Sequence, residues 1–334
     1  MALKFIQRED ERREFLAVEK LNLLYNLLTT LLIIIFFDRL HTPREMLMGR
    51  FFIAAGTFAI IYLYTKIPSR ATRFLRLVGQ MGLLAYWYPD TFEFNRIFPN
   101  LDHLFATAEF NLFGCQPALQ FDQVCSHTLW REAFNLGYWA YYPMIVTIVL
   151  WYFFKREEES ERCTFVVMCS FFIYYLIYIF LPVAGPQFYF PVICDAVAAA
   201  GPYPEIGNWF DLNPQMTLPQ ADKGGLFTSL VNMAQASGER PTAAFPSSHI
   251  GISTIIILLA SRASKRLTLA LLPLYLLLCC ATVYIKAHYL IDGIAGVASG
   301  VLLYMFTTYL YKKQNRLVGD NEECFLCSGI TPRG

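Results

Sequence analysis

The sequence predicts an all-α membrane protein, a polytopic helix bundle of about eight spans with both chain ends cytoplasmic. Two observations carry this. Of 334 residues, 56% are hydrophobic and only 16% charged, where a soluble domain carries about 25% charge. The apolar residues also gather in runs close to the roughly 17–25 that a bilayer crossing needs. The formal net charge of +1 lacks the basic excess that nucleic-acid binding requires, so no nucleic-acid partner is expected.

Residues 4–20 come first and are dense in charge, from Lys4 and Arg8 to Arg13. No small-residue cleavage site follows, so the stretch does not read as a cleavable signal. It reads as a short surface helix with Phe5, Phe15, Leu16 and Val18 as its apolar positions. Eight crossings follow, at 21–37, 51–66, 74–89, 134–154, 164–181, 247–261, 266–285 and 289–311. The third is short and interrupted by Gly79 and Gly82. Lys and Arg mark cytoplasmic segments. They collect at the N-terminus and at 66–76, 155–162, 262–266 and 312–316, which share one side if there are eight spans. Arg39, Arg44 and Arg50 run against that rule. Residues 1–70 then form the surface segment and two accessory spans. Residues 71–315 form a six-helix core, and 316–334 a cytoplasmic tail.

Two long non-cytoplasmic loops, about 90–133 and 182–246, are rich in aromatic residues and proline. Loops of this length in a compact protein are often functional. This composition predicts order, with interfacial helices near 101–113 and 226–236. Cys115 and Cys125 share a loop; they either pair in an oxidising compartment or stay buried and free. Cys324 and Cys327 make half of a metal-site pattern, with no second pair and no nearby histidine, so no metal is expected. The tail around them is expected to be mobile.

The chemistry concentrates in two of the five histidines, both at the start of a predicted span. In His288-Tyr289-Leu290-Ile291-Asp292 the i, i+4 spacing puts His288 and Asp292 on one helix face. Asp292 is then expected to accept a hydrogen bond from one ring nitrogen, leaving the other lone pair free as a nucleophile. Ionisable residues within membrane spans read by default as functional. In Pro246-Ser247-Ser248-His249, Ser247 or Ser248 caps the helix. Its first N–H groups offer an anion site, with His249 beside it to exchange a proton. Separately, Pro-Ser-Ser is an ordinary helix start and His-x-x-x-Asp an ordinary polar pair. Together, one hairpin apart, they point to a site.

These motifs resemble the type 2 phosphatidic acid phosphatase superfamily. Its second motif reads Pro-Ser-Gly-His and its third ends in His-x-x-x-Asp; residues 246–249 and 284–292 match. The family-like core would run from about 74 to 311. The phosphatases' first motif, a Lys followed by Arg-Pro, has no copy here. Its place holds the aromatic and proline segment 182–191. Ala281-Thr282 stand where the phosphatases carry Ser-Arg, and Lys286 precedes His288 by two residues. This pattern is similar to the phosphotransferase branch, the aureobasidin-sensitive inositol phosphorylceramide synthases and, more distantly, sphingomyelin synthases. That branch keeps a His-Tyr-x-x-Asp motif.

The resemblance implies a two-step transfer without metal or cofactor. His288 attacks the phosphorus of a glycerophospholipid, and His249 protonates the departing diacylglycerol. A phosphohistidine then passes the headgroup to a ceramide hydroxyl. Phosphatidylinositol is the favoured donor, ahead of ethanolamine and choline lipids. Ser247, Ser248, Lys286, Arg240, Gln187 and Tyr189 are the expected substrate-binding residues. The site would face the Golgi lumen in a eukaryote or the periplasm in a bacterium. Two other readings stand beside this one: a lipid phosphate or polyprenyl diphosphate phosphatase using water, and a non-enzymatic transporter or scaffold.

Overall fold

The computed structural model describes residues 14–213, 216, 218 and 225–327. Among these the ordered elements are helices, with no strand. The charged residues 1–13, and with them most of the expected surface helix, lie outside the described residues. Ala17 already opens the first long helix, α1 (Ala17–Ile35), in which Val18 and Glu19 are buried rather than at a surface. The cause is an ion pair. Arg76 donates through Nε and Nη2 to both Glu19 carboxylate oxygens at 2.7 Å.

Next come α2 (Pro43–Lys66), α3 (Arg70–Gly82) and α4 (Leu84–Asn95). The expected third span is thus two short helices. At Leu83 the N–H bonds back to the Gln80 carbonyl, a tightened turn that ends α3. Arg50 lies inside α2, not in a loop. It grips Asp90 of α4 through two hydrogen bonds of 2.6 and 2.5 Å. Arg39 donates to the Ile97 carbonyl. Two of the three basic residues that break the charge rule are therefore occupied by internal partners.

The first long loop carries α5 (Asp102–Phe113) and α6 (Pro117–Val124). Cys115 and Cys125 are both free thiols here. The expected fourth span is a pair, α7 (Thr128–Trp139) and α8 (Tyr141–Lys155), bent by 41°. Pro143 explains the bend, since it has no N–H to return to the Trp139 carbonyl. At the centre stands α9 (Ser160–Phe180); 78% of its apolar stretch is buried, against 22% for peripheral α2. α1 packs on it by stacking Tyr25 on Phe172 at 4.1 Å. The second long loop folds into α10 (Pro186–Ile193), α11 (Asp195–Ala200), α12 (Trp209–Leu212) and α13 (Leu226–Gly238). Glu132 of α7 accepts the N–H groups of Gly225, Phe227 and Thr228, which pins the start of α13.

The chain closes with α14 (Ser248–Ala263), α15 (Lys265–Tyr284) and α16 (Leu290–Cys327). The backbone stays helical through residues 316–327, and 328–334 lie outside the described residues. Helix occupies all eight expected positions. Among the described residues, five helices are long and apolar enough to cross a membrane, six if the bent pair counts as one. This is fewer than eight, because the expected third span is broken and α14 has only 16 residues.

α14 and α16 pack backbone to backbone. A Cβ on Gly300 would stand 2.6 Å from the Gly251 carbonyl, and one on Gly296 would stand 2.8 Å from the Ser247 carbonyl. This contact brings the two histidine motifs together. Gly300→Val is expected to cost about 1–3 kcal/mol as an overpacked contact and to lower the unfolding midpoint in detergent. Gly56→Val, where a Cβ meets nothing within 4 Å, should leave it unchanged.

Candidate active site

The site begins with the cap of α14. Ser247 accepts the Ile250 N–H at 3.4 Å. The Ser248 N–H donates to the Tyr178 hydroxyl at 2.9 Å, and that hydroxyl donates to the Pro246 carbonyl at 2.7 Å. The expected anion site at this terminus is therefore largely filled by the protein. Ser247 is fully buried, whereas Ser248 reaches a cavity wall.

His288 sits in the turn between α15 and α16, not on a helix. α16 starts at Leu290, so the expected i, i+4 hydrogen bond does not form. Asp292 instead occupies the first turn and its Oδ2 accepts the Tyr289 N–H at 2.8 Å, half of a capping box. The same oxygen stands 3.7 Å from His288 Nδ1, a charge contact rather than a hydrogen bond. Nδ1 donates to the Ala244 carbonyl at 2.7 Å, which requires the proton on Nδ1 and leaves the lone pair on Nε2. Nε2 faces His249 Nδ1 at 3.5 Å. The His249 ring lies against Tyr138 and Tyr141, with centroids 4.8 and 4.5 Å away.

Three carboxylates from the long loops surround this arrangement, Asp102 and Glu109 buried and Glu239 half-buried at the cavity, and sequence reasoning missed all three. Asp102 accepts the N–H groups of Ala184 and Gly185 at 2.7 and 2.8 Å, the Asn100 amide at 2.6 Å and the Tyr289 hydroxyl at 3.1 Å. It thereby ties the 182–191 segment to the residue beside His288. Gly185 takes φ +91°, and a Cβ there would stand 2.6 Å from the Ala287 carbonyl. Glu109 accepts the Ile291 N–H at 3.1 Å, and burial pushes its carboxyl up to about 7. Glu239 is held by the Gln187 amide at 3.1 Å; burial raises its pKa, opposed by nearby His288. The one available signal was an acidic residue within an aromatic-rich loop.

The other expected substrate contacts divide. Arg240 lines the cavity, and Gln187 reaches the site through Glu239. Lys286 does not point to the histidines, because its ammonium pairs with Asp122 at 3.0 Å. Tyr189 is fully buried in packing, with its hydroxyl donating to the Pro204 carbonyl at 2.6 Å. Neither is placed to meet a phosphate.

The cavity measures about 790 Å³. Its walls come from α3 and α4 on one side and α8 and α9 on the other, and its polar end holds Glu239, Arg240, Ser248 and His249. Arg240 is the one cation among its lining residues.

A helical membrane protein with paired histidines, one of them at the polar end of an apolar cavity, has the form expected of a protein that handles lipid headgroups. A family model of the PAP2 superfamily matches residues 102–306, and the chain belongs to that superfamily of lipid phosphatases and phosphotransferases. The matched stretch starts at Asp102 and leaves α1 to α4 outside it. No curated protein and no solved structure matches the chain significantly.

Burial of His288 makes a pH prediction. It pushes the imidazole down to about 4, against opposing contributions from the Ala244 carbonyl and Glu239. An unfolded histidine titrates near 6.5. Between these values the unfolded chain holds the extra proton, so stability rises with pH across this window. Glu109, lifted to about 7, contributes the opposite slope above about pH 4.5, so the His288 share is read by difference. On acidification from about pH 6.5 towards 4 the unfolding midpoint of the unmodified protein in detergent should fall relative to that of His288→Asn.

Proposed function

We propose that this protein transfers a phosphorylated headgroup, phosphoinositol in the favoured form, from a glycerophospholipid to the hydroxyl of a ceramide. His288 Nε2 attacks phosphorus and forms a P–N bond as the P–O bond to diacylglycerol breaks. His249 gives its proton to the leaving oxygen. The acceptor hydroxyl then returns a proton to neutral His249, its oxygen bonds to phosphorus, and the P–N bond breaks. Asp292, close to Nδ1, balances the positive charge of the phosphorylated ring. Ser248 and Arg240 are the groups at hand for phosphoryl oxygens, with Glu239 and Gln187 available to headgroup hydroxyls.

The observation that carries this reading is the Nδ1 bond to Ala244, which prepares Nε2 as a nucleophile opposite His249. Transfer is favoured over hydrolysis by the apolar cavity with its single cation, a setting that limits water and suits a second lipid. The resemblance of His288-Tyr289-x-x-Asp292 to the transferase branch supports the choice of ceramide and inositol. The basic segments of the sequence lie at the opposite ends of the helices, which supports a non-cytoplasmic site, in the Golgi lumen or the periplasm.

Purified protein incubated with headgroup-labelled phosphatidylinositol and ceramide in excess chelator should move label to the ceramide. An acid-labile phosphohistidine should form on the protein when ceramide is withheld. His288→Ala should lose both by at least about a thousandfold, the scale for removing a catalytic nucleophile. Soluble phosphate released without any acceptor would place the protein with the hydrolases instead.

A further inference from the structure

Two carboxylates share the start of α16. Asp292 lies in its first turn, where Oδ2 accepts the Tyr289 N–H at 2.8 Å. Glu109 arrives from α5, and its Oε2 accepts the Ile291 N–H at 3.1 Å. Those two nitrogens are two residues apart, at most about 7 Å along the chain, so the carboxyls lie close enough to repel each other. Both side chains are fully buried. Each has a second oxygen, Glu109 Oε1 and Asp292 Oδ1, that is buried and has no hydrogen-bond partner. The placement of Glu109 follows from α5, where Asp102, Ala106 and Glu109 recur at i, i+4 and i+7 and form the buried face. Asp102 takes the Tyr289 hydroxyl and Glu109 the Ile291 N–H, so one helix face reaches both ends of the 289–291 segment.

Two buried carboxylates this close do not both ionise. A helix start carries only about half a positive charge, which favours one anion. The other titratable groups around the pair are Asp102 on α5, His288 and Tyr289 before α16, Tyr189 on α10 and Tyr203 in the loop after α11. None of these is a fixed cation, and Asp102 is itself an acid already held by four donors. We infer that Glu109 and Asp292 share one proton, held mainly on Glu109, so that Asp292 meets His288 as the anion. One O–H···O bond between Oε1 and Oδ1 then serves both oxygens that otherwise lack a partner. The Glu109 carboxyl, lifted to about 7 by burial and by Asp292, is in keeping with this. Glu109 is thus a positioning residue that acts through Asp292. With one proton on the pair, a single negative charge stands 3.7 Å from His288 Nδ1. It matches the single positive charge that the ring gains when Nε2 bonds to phosphorus. With no proton, a second negative charge opposes the approach of a phosphodiester, itself an anion. This rests on His288 as the nucleophile proposed above and not on which lipid accepts the headgroup.

The test uses full-length protein and two readouts. The first is the infrared spectrum in detergent. At about pH 6 the unmodified protein should show a protonated-carboxyl band that Glu109→Gln lacks, and the band should fade as pH rises through about 7. The second is the rate of phosphohistidine formation from labelled phosphatidylinositol in mixed micelles without ceramide. Above about pH 7 that rate should fall in the unmodified protein, relative to Glu109→Gln, by roughly tenfold per pH unit, the slope for loss of one proton. At about pH 6 Glu109→Ala should lower the rate about tenfold, because Asp292 loses its donor, with the half-saturating donor concentration little changed. Glutamine keeps one donor and one acceptor at this position, and Glu109→Gln should restore the rate. Glutamine no better than alanine, profiles that run parallel at every pH, or infrared spectra that do not differ between the unmodified protein and Glu109→Gln would overturn the shared proton. If no phosphohistidine forms in any of these proteins, the transfer reading fails, and the infrared comparison still decides the shared proton.

Discussion

The arrangement of the histidines depends on one buried carboxylate. Asp102 gathers donors from three separated segments, the 100–102 turn, the 184–185 backbone and the Tyr289 side chain. A charged acceptor with several good donors forms bonds roughly twice as strong as neutral ones, and burial makes any missing partner costly. Val183, within the segment so held, accepts the Ala244 N–H at 3.0 Å, and the Ala244 carbonyl in turn receives His288 Nδ1. A chain of hydrogen bonds therefore runs from a loop aspartate to the histidine tautomer.

The same logic operates lower in the bundle. Arg76–Glu19 and Arg50–Asp90 are buried pairs that fasten α1 to α3 and α2 to α4. Breaking one such pair leaves an uncompensated charge, which typically costs about 3–5 kcal/mol. The N-terminal helices are thereby fixed to one another, and Tyr25 stacked on Phe172 seats α1 on α9. This matters for the site, because α3 and α4 form one wall of the cavity although they lie outside the stretch matched to the PAP2 superfamily.

Close packing does the remaining work. The glycines of α14 and α16 bring two helix starts within backbone contact, and the histidines meet because those starts meet. Glu239 arrives from the far side on a loop secured by Glu132 and Gln187. Of the two cations expected near the phosphate, Lys286 is held by Asp122. Arg240 remains at the cavity.

Much was legible in the linear chain. Hydropathy placed helix at every expected span, because lipid demands apolar side chains and backbone hydrogen bonds within one segment. His249, His288 and Asp292 stood out because polar groups at span ends are few. Partner choice was not legible. Whether Asp292 bonds the imidazole or caps its own helix depends on where α16 starts, a difference of two residues that periodicity does not resolve. Asp102, Glu109 and Glu239 did not stand out, and Tyr189 read as a substrate contact, because burial and partners depend on contacts between residues far apart in sequence. The sequence by itself determined the helical membrane architecture and the histidine motifs. Only the tertiary structure decided which atoms face one another, since that depends on how glycine-lined helices and carboxylate-tied loops close on each other in space.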